Sequence, residues 1–283
     1  MDGFLPVDKP AGPTSHDVVA AVRRRWRTRR VGHAGTLDPF ATGLLLVLVG
    51  RATRLAPYLV GLSKRYTGTI RLGARTDTDD ATGQTVEEHP TDRVTDAAIH
   101  AGMEALTGAI AQVPPAYSAK KLGGQPAHRR VRRGEAVTLA AQPVTVHRFA
   151  MTGRDADDVT FDAEVGSGTY VRALARDLGQ ALGCGAHLTA LRRTAVGPWR
   201  IEEAAPLAAV EDGSAELLAP AAALPHLPRH AVRPEERELL RNGRAIPDGA
   251  ADGAAVALLA DGVLVAVAEA TDGRLQPRVV LDT

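Results

Sequence analysis

The chain of 283 residues has one cysteine, Cys184. A single thiol excludes an intramolecular disulfide and any zinc site built from several cysteines. The nine histidines show no HxH or HExxH spacing, so no metal site is expected. Cys184 lies in "LGCGAHL" with no activating partner in the pattern, and reads as a small residue in a turn. Aromatic residues are only 4% of the chain, and four of them are tyrosines. No apolar run approaches the roughly 18 residues of a membrane span. The longest run of large aliphatic side chains is Leu44 to Val49. The opening "MDGFLPVDKP" lacks the basic and apolar regions of a secretory signal, so a cytoplasmic protein is expected.

Net charge is also scarce, at +1, but it is unevenly spread. Residues 1–70 hold eleven Lys and Arg against four Asp and Glu, whereas residues 201–220 hold five acids and no base. Two basic clusters stand out: "RRRWRTRR" at 23–30 and "KKLGGQPAHRRVRR" at 120–133. A basic side with an acidic opposite end fits a polyanionic partner. Thirty of the 34 basic residues are arginine, so a bias toward arginine also contributes to the clusters.

What is present reads as alternating helices and strands. "TSHDVVAAVRRRWRT" is a helix capped by Thr14 or Ser15, with Val18, Val22 and Trp26 on one face. "LLLVLV" reads as a fully buried strand. In "RYTGTIRLG", Tyr66, Gly68, Ile70 and Leu72 share one strand face. "DTDDATGQ" reads as a polar turn. "TDAAIHAGMEALTG" is a helix capped by Thr95 and stopped by Gly108. Residues 110–142 carry two proline and glycine pairs and weak periodicity, and read as an exposed, mobile, basic insertion. "DVTFDAEV" is a strand that leads through "GSGT" into the helix "YVRALARDLGQALG", placing Tyr170 and Arg172 in its first turn. "HLTALRRTAVG" reads as a further strand. The Ala/Pro-rich acidic segment 202–228 reads as a connection. "VALLADGVLVAVAEA" is a hairpin whose Asp261-Gly262 pair suits a type I′ turn. The expected division is therefore 1–228 and a small β-rich domain at 229–283.

The stretch "VGHAGTLDPFATG" puts a carboxylate, Asp38, on a glycine-rich loop before the buried strand. An isolated Asp-Pro is ordinarily just a turn. Here Gly32, Gly35 and Gly43 permit positive φ or close backbone approach, and His33 is near. A carboxylate on a loop fixed to a rigid strand suits a nucleophile or a general base. Partial burial calls for a counter-charge, which Arg172 can supply. Tyr66 and Tyr170 offer a stacking face or a phenol, although a plain core role for Tyr66 fits its pattern equally well.

Five collinear segments, "GHAGTLDPFATG", "KRYTGTIRLG", "RTDTDDATG", "GSGTYVRALARDLG" and "GCGAHLTALRRTAVG", together with "VDKPAGPTSHDVV", resemble the motifs of bacterial tRNA pseudouridine-55 synthases of the TruB family. The likeness runs over about residues 5–200. It implies an α+β fold with a mixed, mainly antiparallel sheet flanked by helices and loops, an RNA-gripping insertion and a C-terminal PUA-like domain. It implies isomerisation of one T-loop uridine of tRNA without a cofactor. By the same resemblance Asp38 is the essential aspartate, Tyr66 lies against the target base, and Arg172 partners the aspartate. His33, Tyr170, Leu191 and Lys9 match substrate-contacting or positioning residues. Arg23, Arg24, Arg25, Lys120, Lys121, Arg129, Arg130, Arg132 and Arg133 are expected on the RNA backbone. Phe40 stands where the family usually has leucine, and the C-terminal 55 residues carry no matched motif.

The target base would be extruded from its stack, with His33 and Tyr66 as candidates to fill the gap and hold the ring. The residues leave open whether Asp38 attacks ribose C1′ or assists a glycal route with Tyr66 as base. Two other classes compete: a tRNA-binding module without chemistry, which leaves the Asp38 loop unexplained, and a glycosidase, which needs a second paired carboxylate. Nothing in the pattern calls for a membrane or an oligomer.

Overall fold

The computed structural model describes residues 1–117, 121–122, 125–126, 133, 139–247 and 252–282. In chain order its elements begin with β1 (Gly3–Lys9), α1 (Ser15–Arg25), β2 (Val31–His33), β3 (Thr42–Val49), α2 (Pro57–Val60), β4 (Lys64–Leu72), β5 (Ala74–Thr76), β6 (Thr85–Glu88), α3 (Asp96–Ala105) and β7 (Gly108–Gln112). Next come β8 (Lys121–Leu122), β9 (Gln125–Pro126), β10 (Gln142–Asp155), β11 (Asp158–Val165), α4 (Val171–Leu182) and β12 (Ala186–Val196). The chain closes with β13 (Trp199–Arg200), β14 (Ala205–Pro206), α5 (Leu207–Asp212), β15 (Arg229–Ala231), α6 (Pro234–Arg241), β16 (Ile246–Pro247), β17 (Ala255–Ala260), β18 (Val263–Thr271) and β19 (Arg274–Val280). The fold is α+β and its sheets are mainly antiparallel. Two units divide it: Met1–Asp38, Gly43–Gly61 and Gly197–Thr283 form one, and Pro39–Thr42 with Leu62–Val196 form the other. The compositional boundary at 228/229 falls within the first unit, where β15 begins.

In the first unit β1 lies between antiparallel β3 and the short parallel β14, and β2 pairs with β3. Helix α1 starts with a capping box. Thr14 accepts from the Asp17 backbone N–H, and the Asp17 carboxylate accepts from the Thr14 N–H. Its face Val18, Val19 and Val22 packs on Leu5, Val7, Leu45 and Val47, with Trp26 at the edge. The "LLLVLV" run is buried throughout, as expected of a strand covered on both faces. The C-terminal sheet follows the order β15-β17-β18-β19-β16 over its own apolar cluster. Asp261 and Gly262 both take positive φ, 49° and 77°, as a type I′ turn requires. Asp282 then ties the end of this sheet to α6 by accepting from Arg237 and Arg241.

The second unit is built on an antiparallel sheet, β12-β4-β11-β10-β7. Strand β4 is paired on both sides: Tyr66 opposes Ala163 of β11 and Arg193 of β12, and Gly68 opposes Phe161 and Leu191. A Cβ at Gly68 would collide with the Ala190 carbonyl and the Phe161 ring, so the residue must stay small. Helix α4 is amphipathic, with Val171, Leu174 and Leu178 buried, and Gly183 ends it in the left-handed conformation at φ 73°. Helix α3 is capped by Thr95 and buries Ile99 and Met103. Two expectations change here. Strand pairing takes in both ends of the expected insertion, so the inserted stretch is 113–141, and Pro114 and Pro115 at its start are buried. Within "DTDDATGQ", Asp79 and Asp80 are buried instead of solvated, because arginines from α4 meet them.

Candidate active site

Asp38 sits on the connection between β2 and β3. The pair is registered from Val31 opposite Val49 to His33 opposite Val47, and the Ala34 N–H continues it by donating to the Leu46 carbonyl at 2.9 Å. The chain then leaves the ladder until β3 begins at Thr42. Gly35, at φ 99°, supplies a left-handed turn within this connection, and Gly43, at φ 105°, lies just inside the start of β3. Gly32 does not; it is an ordinary strand residue in β2. Leu37, just before the carboxylate, is buried, whereas Asp38 is half-buried. The two polar backbone groups of Leu37 meet one side chain from α1. Its N–H donates to Ser15 Oγ at 2.8 Å, and Ser15 Oγ–H donates to its carbonyl at 2.9 Å. His33, expected near the substrate, ends β2 and is half-buried.

Lys9, expected to contact substrate, ends β1 fully buried, with Nζ donating to the carbonyls of Pro10 and Pro13 at 2.8 Å each. That geometry braces the turn that enters α1. The three arginines of α1 differ from one another. Arg24 is exposed. Arg23 donates to the Val31 carbonyl at 3.1 Å, and Arg25 lies over the Trp26 ring and donates to the Gly213 carbonyl.

In the second unit the sheet register brings Tyr66 and Leu191 onto one face, with Arg193 directly opposite Tyr66. All three are buried. Lys64, two residues before Tyr66, is also buried. Loss of solvation, followed by the nearby Arg193 charge, pushes its ammonium down to about 8. Tyr170 is the residue before the first turn of α4, and Arg172 lies in that turn. The Arg172 guanidinium is buried and reaches several acceptors. It donates to the Thr78 carbonyl at 2.8 Å and the Tyr117 carbonyl at 2.9 Å, and its Nη1 is 3.6 Å from Asp80 Oδ2. Asp80 Oδ1 accepts from Thr78 Oγ1 at 2.8 Å and from the Thr82 N–H at 3.0 Å. One turn further on, Arg176 pairs with Asp177 and approaches Asp79 at 3.4 Å. Burial raises the Asp79 carboxyl above its ordinary range, against the pull of Arg176 and Arg172.

Three further functional candidates carry no mark in the sequence: Asp80, Gln112 and Ser15. Asp80 lies in a polar run, and the apolar residue beside it, Ala81, is exposed, so nothing local marks the carboxylate as buried. Gln112 is buried at the end of β7 and holds both backbone groups of Tyr170, accepting from its N–H at 2.8 Å and donating to its carbonyl at 3.2 Å. The sequence offers Ser15 only as an alternative helix cap, whereas Thr14 does the capping. Cys184 is buried, with Sγ against the Gly185 carbonyl, in keeping with a small turn residue. Lys120, Arg129, Arg130 and Arg132 lie outside the described residues, as does the Lys121 side chain, while Arg133 is exposed in a turn. Among the described residues no helix is long and apolar enough to cross a membrane.

Comparison with known proteins bears on the whole chain. Residues 23–171 match the model of the TruB family pseudouridylate synthase N-terminal domain, and residues 172–239 match that of the tRNA pseudouridylate synthase B C-terminal domain. The tRNA pseudouridine synthase B of Thermobifida fusca (strain YX) is 53% identical over 99% of this chain and 98% of its own length. That of Arthrobacter sp. (strain FB24) is 48% identical over 99% and 96%. Among solved structures, a chain of the archaeal box H/ACA sRNP Nop10-Cbf5 complex superimposes with TM-score 0.73 at 26% identity, covering 98% of this chain and 85% of that one. A chain of an H/ACA RNP bound to a substrate RNA containing 2′-deoxyuridine shares the fold at TM-score 0.75 and 24% identity, over 99% and 85%. With both family models matched in sequence order and near-complete relatives at about half identity, this chain belongs to the TruB family of pseudouridylate synthases.

Proposed function

We propose that this enzyme converts the T-loop uridine of tRNA, position 55, to pseudouridine, with Asp38 as the essential carboxylate. The observation that carries the assignment is the half-buried Asp38 on a loop pinned to the buried strand β3, within the motif "GHAGTLDPFATG". The reaction breaks the bond from ribose C1′ to N1 and forms one from C1′ to C5. The C5 proton leaves and N1 gains one, so atoms and electrons balance without a cofactor. Catalysis therefore reduces to extruding the base, holding it while it turns, and stabilising the charge at C1′.

In this reading Tyr66 and Leu191 form the flat wall against the extruded ring, Tyr170 and His33 orient it, and Arg172 partners Asp38. Lys9 acts indirectly, by bracing the turn before α1. The network that holds Arg172, with Asp80, Thr78 and Tyr117, keeps its planar fork fixed before substrate arrives, and pre-set charge is worth more than charge that must reorganise. Arg23, Arg24 and Arg25 and the basic residues 120–133 hold phosphates of the T stem-loop. The PUA-like residues 229–283 add further RNA contact to a cytoplasmic monomer. Asp38 works either by attack on C1′ or by helping the base leave after the 2′ proton is lost to Tyr66. A primary isotope effect from deuterium at C2′ marks the second route.

The test is to incubate an unmodified tRNA transcript with wild-type enzyme and with Asp38→Asn, then map pseudouridine by carbodiimide and primer extension. The wild type modifies the T-loop uridine, and the variant binds tRNA but leaves it unmodified. Turnover by the variant removes Asp38 from the mechanism; release of free uracil would point to a glycosidase instead.

A further inference from the structure

We infer that Ser15 is a positioning residue for Asp38, a conclusion that rests on the proposed role of that carboxylate. The Ser15 side chain is buried in the first turn of α1. Its hydroxyl accepts from the Leu37 N–H and donates to the Leu37 carbonyl, so one side chain satisfies both polar groups of the residue bonded to Asp38. Leu37 is itself buried, which denies these groups to water, and the pairing spans 22 residues of sequence. The helix that carries Ser15 is fixed independently by its Thr14–Asp17 capping box and by Val18, Val19 and Val22 in the core. A rigid helix thus grips the backbone one residue before Asp38. Helix capping does not need Ser15, because Thr14 already caps the helix. The hydroxyl is committed to the loop.

Loss of this grip should let Asp38 wander while leaving the RNA-binding surface untouched. A displacement of about 1 Å at a reacting group can cost about a hundredfold in rate. Ser15→Ala is therefore expected to lower the single-turnover rate by roughly ten- to a hundredfold with tRNA affinity unchanged. The Leu37 amide, protected in the wild type, should exchange faster with solvent deuterium. Ser15→Thr keeps the hydroxyl and should regain most of the lost rate. A purely structural role would reduce rate and melting temperature together in both variants, and that outcome overturns the inference. So does a wild-type rate in Ser15→Ala. Asp38→Asn is measured alongside. If that variant turns over, the role of Asp38 falls instead, and exchange at Leu37 alone decides whether the grip exists.

Discussion

At the scale of single residues, the arginine of α4 shows why charge alone does not define a site. Arg172 is almost completely enclosed, and reaching the Thr78 and Tyr117 carbonyls together with Asp80 needs a planar fork. A lysine keeps the charge but reaches only one or two of them. Arg172→Lys should therefore cut the single-turnover rate by at least roughly tenfold, with tRNA binding retained. A rate equal to wild type would show that the fork has no part in catalysis. Arg172→Ala goes further, because it strands Asp80 without its counter-charge. Breaking a buried pair in this way costs about 3–5 kcal/mol, so urea unfolding should show a much lower midpoint. Asp38 is legible in the sequence through the collinear motifs, because composition and turn chemistry alone do not separate it from an ordinary Asp-Pro turn. Asp80 was illegible for a different reason. Its partner lies 92 residues away on another element, and no local pattern announces a pairing of that span.

At the scale of elements, periodicity served well wherever an element had one buried face or two. The alternation around Tyr66 and Ile70, the run Leu44 to Val49 and the stripe of α4 all appear where the pattern places them. The pattern gave out at the edges of the insertion, because the prolines at 114 and 115 look like surface punctuation yet pack inside. The packing of α4 on β12 depends on Gly179, where a Cβ would strike the backbone of Gly185 and Ala186. Gly179→Ala normally favours a helix, by about 1 kcal/mol. Here overpacking against backbone should outweigh that gain and destabilise by about 1–3 kcal/mol. Thermal unfolding checks the sign: a raised melting temperature would mean that the helix can move away from the strand freely.

At the scale of the whole molecule, affinity for RNA should fall steeply with salt, with a log–log slope of roughly −0.7 to −0.9 per phosphate contacted. Arg24→Ala should flatten that slope by about 1, because the exposed guanidinium is available to a phosphate. An unchanged slope would put that arginine off the RNA. Stability should vary with pH through His226, whose imidazole is held down first by burial, against the support of the Tyr58 carbonyl. A histidine with a depressed folded value contributes stability that is present above about pH 6.5 and is lost as the pH falls through the folded value. The melting temperature should decline below that point, and His226→Gln should flatten the decline. The division of the chain also sets an order of assembly. The second unit is nearly continuous, so a ribosome that has released residue 196 has supplied all of it. The first unit joins both ends of the sequence: Val7 of the first strand waits for Ala205 before its parallel neighbour exists. During synthesis, the sheet that bears Tyr66 can therefore be finished while the opening strand still lacks its edge, and a truncated nascent chain would expose that edge to other chains.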